Sequence, residues 1–143
     1  MNSIVKYFLI PSLILLFVCC QENIEIRFKD KTEIVDANYI GKGWVPLIIP
    51  DDCYDITVVN NLDNNHFFGV FSFRGKSFTN YFASLEIGYD SLYSKLKSIN
   101  IPNPPEWFID NEVLKDKKNL LFRKYSYFYM IIDTINKKCF YFG

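Results

Sequence analysis

The stretch LLFRKYSYFYMIIDTINKKCFYFG, Leu120 to Gly143, decides the fold class of this chain. Its first part, LLFRKYSYFYMIID, reads as one long strand. Alternation along it puts Phe122, Phe128, Met130 and Ile132 on one face and Arg123, Tyr125, Tyr127 and Tyr129 on the other. TINK follows as a turn and KCFYFG as a short final strand, so the segment predicts an antiparallel pair.

Upstream, YDITVVN (54–60) alternates Tyr54, Ile56 and Val58 against Asp55, Thr57 and Val59, and HFFGVFSF (66–73) is rich in aromatics. The turn-forming NLDNN between them predicts a second antiparallel hairpin. Gly69, in mid-strand, marks either a bulge or the close approach of an aromatic neighbour. Helical signals lie around these strands. Asp30 can cap a helix over DKTEIVDANYIGKG, with Glu33 at the capping-box position, Ile34, Ala37 and Ile40 at helical spacing and Gly41 as the stop. GKSFTNYFASLEI places Phe78, Tyr81, Phe82 and Leu85 on one helical face behind Ser77, and DSLYSKLKSI predicts another helix through Leu92, Leu96 and Ile99. Pro46 and Pro50 make WVPLIIPDDCYDI extended, and Pro102, Pro104 and Pro105 make NIPNPPEWF a loop. The expected fold is therefore α+β, an antiparallel sheet of about four strands with helices packed on one face.

A leader precedes that domain. Lys6 is followed by an apolar run from Tyr7 to Val18, interrupted only by Ser12. A membrane-spanning helix needs roughly 20 apolar residues, so this run is too short, and Pro11 weakens it further. The layout is that of a secretory signal. It resembles a bacterial lipoprotein signal, which implies acylation of Cys20, with Cys19 as the alternative; a plain secretory signal is the remaining reading. The expected division is a cleaved signal over residues 1–19, a tether over 20–29 and a single α+β domain over 30–143. Several acyl chains would hold the domain at a membrane surface without spanning it.

Composition narrows the function classes. The chain carries 16 basic and 16 acidic residues, and only Lys6 leaves with the leader, so nothing in it tracks a phosphate backbone and nucleic acid is not an expected partner. The 14 Phe, 10 Tyr and 2 Trp supply ample core material. Cys53 and Cys139 are expected either to pair as a disulfide across a long loop or to stay separate as buried thiols.

The pattern GKGWVPLIIPDDCYDITVVNNLDNNHFFGVFSF, carried by Gly43, Trp44, Pro46, Pro50, Cys53, Ile56, Asp63 and Asn65, resembles small bacterial exported proteins and lipoproteins of the YbbD head domain type. The resemblance implies an exported α+β domain and brings no catalytic residues with it.

Signals for chemistry are sparse. His66 is the only histidine, and general acid–base work needs a partner within hydrogen-bond reach. Asp51 and Asp52 are adjacent, and on extended backbone they point to opposite sides. No phosphate loop, nucleophile elbow or metal-ligand spacing is present, so neither a metal nor another cofactor is expected, and the chain reads as a non-enzyme. Trp107 and the tyrosines Tyr125, Tyr127 and Tyr129 are the candidate interface, because such side chains join apolar area to a polar tip. The competing reading packs that stripe under the helices or leaves it as a half-wet outer face of the sheet. The expected function is a lipid-anchored, non-catalytic domain at the cell envelope that binds another protein. The alternatives are an immunity- or inhibitor-type lipoprotein and a small envelope hydrolase.

Overall fold

The computed structural model describes residues 23–61, 65–75, 78, 82, 85, 104–109 and 119–143. Six strands form one antiparallel sheet: β1 (Asn23–Asp30), β2 (Tyr54–Asn61), β3 (His66–Ser72), β4 (Leu120–Tyr125), β5 (Phe128–Asp133) and β6 (Lys138–Phe142). Their order, β1-β2-β3-β6-β5-β4, joins two three-stranded meanders along β3 and β6. The helix whose bounds are described is α1 (Lys31–Asp36), and Phe78 and Phe82 are helical as well.

This overturns the expected α+β layering. Among the described residues there are six strands instead of about four, and no helix reaches seven residues. The predicted helix from Asp30 starts as expected but stops early. Asp30 accepts from the Thr32 and Glu33 amides, and the Glu33 carboxylate reaches back to the Lys29 amide at 2.7 Å. The run then ends in a Schellman turn: the Tyr39 amide donates to the Ile34 carbonyl and the Asn38 amide to the Val35 carbonyl. Asn38, at φ 57°, takes the left-handed position expected for Gly41. The two helices predicted between residues 75 and 99 lie outside the described residues except at Gly75, Phe78, Phe82 and Leu85, of which both phenylalanines are buried.

The supposed long strand is a hairpin. Tyr125 pairs with Phe128, leaving Ser126 and Tyr127 as a two-residue turn with Ser126 at φ 55°. A left-handed first turn residue matches the type II′ geometry that suits the twist of paired strands. The turn reverses the chain, so alternation across it fails. Phe122 joins Leu120 on one face of the sheet, while Phe128, Met130 and Ile132 lie on the other. The second predicted hairpin is present as β2–β3, and the expected TINK turn links β5 to β6, where the Asp133 carboxylate accepts from the Ile135 and Asn136 amides.

Both faces of the sheet are covered, which is why strands such as β3 and β5 read as almost continuous apolar runs. On one face, the connection from α1 to β2 lays Ile34, Tyr39, Val45, Ile49 and Cys53 over Ile56, Phe71, Met130, Ile132 and Tyr141. On the other, Phe108 wedges against Phe68, Phe140 and Phe142, with ring centroids 5.2 to 6.1 Å apart. Gly69 is directly opposite Tyr141, and a Cβ at that glycine would sit 1.9 Å from the tyrosine ring. The close-approach reading of Gly69 is the one observed.

Candidate functional site

Residues 23–29, expected to be a tether, are most of β1, an edge strand paired along its length with β2. Its sequence alternates Asn23, Glu25, Arg27 and Lys29 with Ile24, Ile26 and Phe28, so Ile26 and Phe28 join the core and the polar set lines the opposite face. Over that polar face folds the segment 104–109. Phe108 anchors it, with its amide donating to the Pro105 carbonyl at 2.8 Å, and this brings the neighbouring Trp107 above β1.

Three side chains then meet. The Trp107 indole Nε1 donates to Glu25 Oε2 at 3.1 Å, while Arg27 Nε and Nη2 donate to Glu25 Oε1 at 3.1 and 2.9 Å. The Trp107 hydrogen bond and then the guanidinium hold the Glu25 carboxyl below its usual range, so it is an acceptor and not a proton donor at neutral pH. Around the trio lies a shallow recess of about 390 Å³, completed by Asn23, Val59, Pro105 and Glu106. A second recess, of about 520 Å³, flanks Lys29, Glu33 and Asp55 farther along the same edge. There β2 is irregular: the register shifts between Tyr54 and Thr57, and Asp55 sits at φ 49°.

The tyrosines disperse instead of forming a stripe. Tyr125 packs against the core on the α1 side. Tyr129 lies on the opposite face, stacked on Phe142 at 5.3 Å. Tyr127, in the hairpin turn, donates from its hydroxyl to the Gly43 carbonyl at 3.0 Å and so ties the turn to the connection over the sheet. Lys124 Nζ lies 5.7 Å over the Tyr129 ring, while Trp107 meets the Glu25–Arg27 ion pair. Cys53 and Cys139 are both buried in the same core cluster and are free thiols in this structure. His66 is exposed at the start of β3, its Nδ1 3.4 Å from the Gly143 carbonyl oxygen. Asp51 accepts from Lys31 Nζ at 2.6 Å, which lowers its pKa, and Asp52 is exposed beside it. Neither His66 nor this aspartate pair approaches Trp107 closely enough to line its recess. Among the described residues no three His, Cys, Asp or Glu side chains gather as a metal site, and no helix is long and apolar enough to cross a membrane. Cys19 and Cys20 lie outside the described residues.

The segment from β1 to β3 has its own signature. Residues 22–72 match the YbbD head domain. In this segment Gly43, at φ 78°, closes a second Schellman turn, with the Trp44 amide donating to the Tyr39 carbonyl and the Gly43 amide to the Ile40 carbonyl. Trp44 packs edge-on against Tyr39 at 5.1 Å, and the Pro46 and Pro50 carbonyls accept from Ile49 and Cys53. Gly43, Trp44 and Pro46 of this chain therefore wind the connection that seats on the sheet. The head domain match contains Glu25 and Arg27 and ends before Trp107. Neither curated proteins nor solved structures gave a match to the chain.

Proposed function

We propose that the protein is an exported, lipid-tethered, non-catalytic domain that binds another protein at the cell envelope. The recess under Trp107 is the observation that carries this reading. An indole, an ion pair and an amide side chain converge there on a sheet face otherwise filled by aromatic packing. Trp and Arg are enriched where proteins recognise each other, since both join broad apolar contact to directional donors. The fixed carboxylate of Glu25 adds a charged acceptor that a partner's donor can meet. The tether rests on the leader, whose apolar run ends at Cys19 and Cys20. The head domain match over residues 22–72 is compatible with an exported envelope protein.

Capture from envelope extract with the full chain tests the binding role. Trp107→Ala and Arg27→Ala are each expected to lose a partner that the wild type and His66→Ala retain. Retention by both recess variants overturns the assignment of the surface. A hydrolytic turnover abolished by His66→Ala or Asp51→Ala overturns the non-catalytic reading. Fatty-acid labelling of Cys19→Ala and Cys20→Ala identifies the anchored thiol by loss of label in one variant. Absence of label from the wild type removes the tether.

A further inference from the structure

β1 has β2 on one side and no strand on the other among the described residues, so one row of its backbone donors and acceptors faces outward. An open edge is a template for another strand, and proteins commonly guard it with charge. The charges on β1 follow a particular order. Glu25 and Arg27 stand two residues apart on one face, with Ile26 between them on the other, and Ile24 and Phe28 flank Ile26 on that apolar face. This order is its own complement. A second copy of the strand, run antiparallel about an axis through Ile26, sets Glu25 opposite the second copy's Arg27 and Arg27 opposite its Glu25. Ile24 then faces the second copy's Phe28, and Ile26 faces Ile26.

We infer that β1 pairs with β1 of a second copy of this chain in the antiparallel register centred on Ile26, joining two six-stranded sheets into one. Directly opposed unlike charges stabilise an antiparallel ladder and like charges weaken it. Centring on Glu25 or on Arg27 instead puts two identical charges face to face. A register offset by one residue sets the apolar row of one copy against the charged row of the other. The Arg27 register also sets Glu25 opposite the second copy's Lys29, but it opposes the two arginines at the axis, whereas the Ile26 register opposes unlike charges with no like pair among residues 23–29. Arg27 is well placed to reach across, its side chain being 78% exposed, and Glu25 keeps its Oε2 bond to Trp107 while Oε1 takes the new partner. The contact is short against the roughly 1,200–2,000 Å² of a standard interface, so the pair forms at high protein concentration. The two recesses under Trp107 would adjoin across the axis, yet the inference stands on β1 alone and survives a failure of the proposed partner site.

Sedimentation equilibrium of the full chain in detergent, over a concentration series, tests it. Arg27→Glu and Glu25→Arg are each expected to raise the dimer dissociation constant about tenfold. An equimolar mixture of these two variants is expected to pair as well as the wild type, because each then presents the charge the other lacks. Mild oxidation of Ile26→Cys should give a covalent dimer, whereas Ile24→Cys should not, since only residue 26 meets itself. Circular dichroism confirms that each variant is folded; if Glu25→Arg is not, Arg27→Glu and the two cysteine variants still decide. A wild type that remains monomeric throughout the series overturns the inference. So does a dimer unaffected by Arg27→Glu, or one that cross-links equally at positions 24 and 26.

Discussion

At position 141 a tyrosine is completely buried, and among the described residues its hydroxyl has no hydrogen-bond partner. A buried polar group left unpaired costs roughly 1–3 kcal/mol. The ring itself is well used, since it covers the bare backbone of Gly69 and meets Phe67, Phe71 and Phe128 within 6.4 Å. Tyr141→Phe keeps those contacts and discards the orphaned oxygen. It is expected to raise the urea midpoint, with the slope unchanged, by a stability gain of about 1 kcal/mol; a lower midpoint would mean that the hydroxyl is satisfied. The same scale separates what sequence could and could not say about the candidate site. Trp107 stands out from sequence because a large amphipathic ring beside a Pro-rich loop has few other uses. Glu25 does not, because nothing near it in sequence announces a partner 82 residues away.

β1 is the element whose reading changes most. An acidic start close behind the leader suggests a tether, yet Ile24, Ile26 and Phe28 alternate strictly with polar residues, which is the mark of a half-buried strand. That alternation was the available signal for the missed half of the site. Phe28 packs edge-on against Tyr39 at 4.8 Å, and Ile26 packs on the same core, so β1 carries part of the fold's stability. A chain lacking residues 1–29 is expected to lose about 3 kcal/mol or its cooperative transition altogether in urea. A chain lacking only residues 1–22 should unfold at the midpoint of the leader-free protein, and equal midpoints for both deletions would make β1 a tether after all. The opposite misreading occurred at the far edge of the sheet. Without Gly, Pro or Asn at Ser126, nothing in the local composition signals the turn that divides β4 from β5.

The core as a whole holds acidic protons tightly on the face covered by α1 and its connection. Burial pushes the Cys53 thiol up to about 11, and raises Cys139 and Tyr141 as well. In the unfolded chain a thiol releases its proton near 9, so above that pH unfolding releases protons and stability falls as pH rises. The urea midpoint is expected to be level from pH 7 to about 8.5 and to decline toward pH 11, less steeply in Cys53→Ala. An unchanged midpoint across that range would mean the thiols titrate alike in both states. The sequence by itself determined the antiparallel hairpin β2–β3, the TINK turn and the Asp30 cap. Each depends on residues close together in the chain or on a period that local backbone geometry imposes. Tertiary structure alone decided that β3 would meet β6, that the C-terminal run would fold back at Ser126, and that Trp107 would close over Glu25. Those outcomes come from covering two apolar faces of one sheet at once, and a chain's local periodicity records how much surface must be hidden without recording what will hide it.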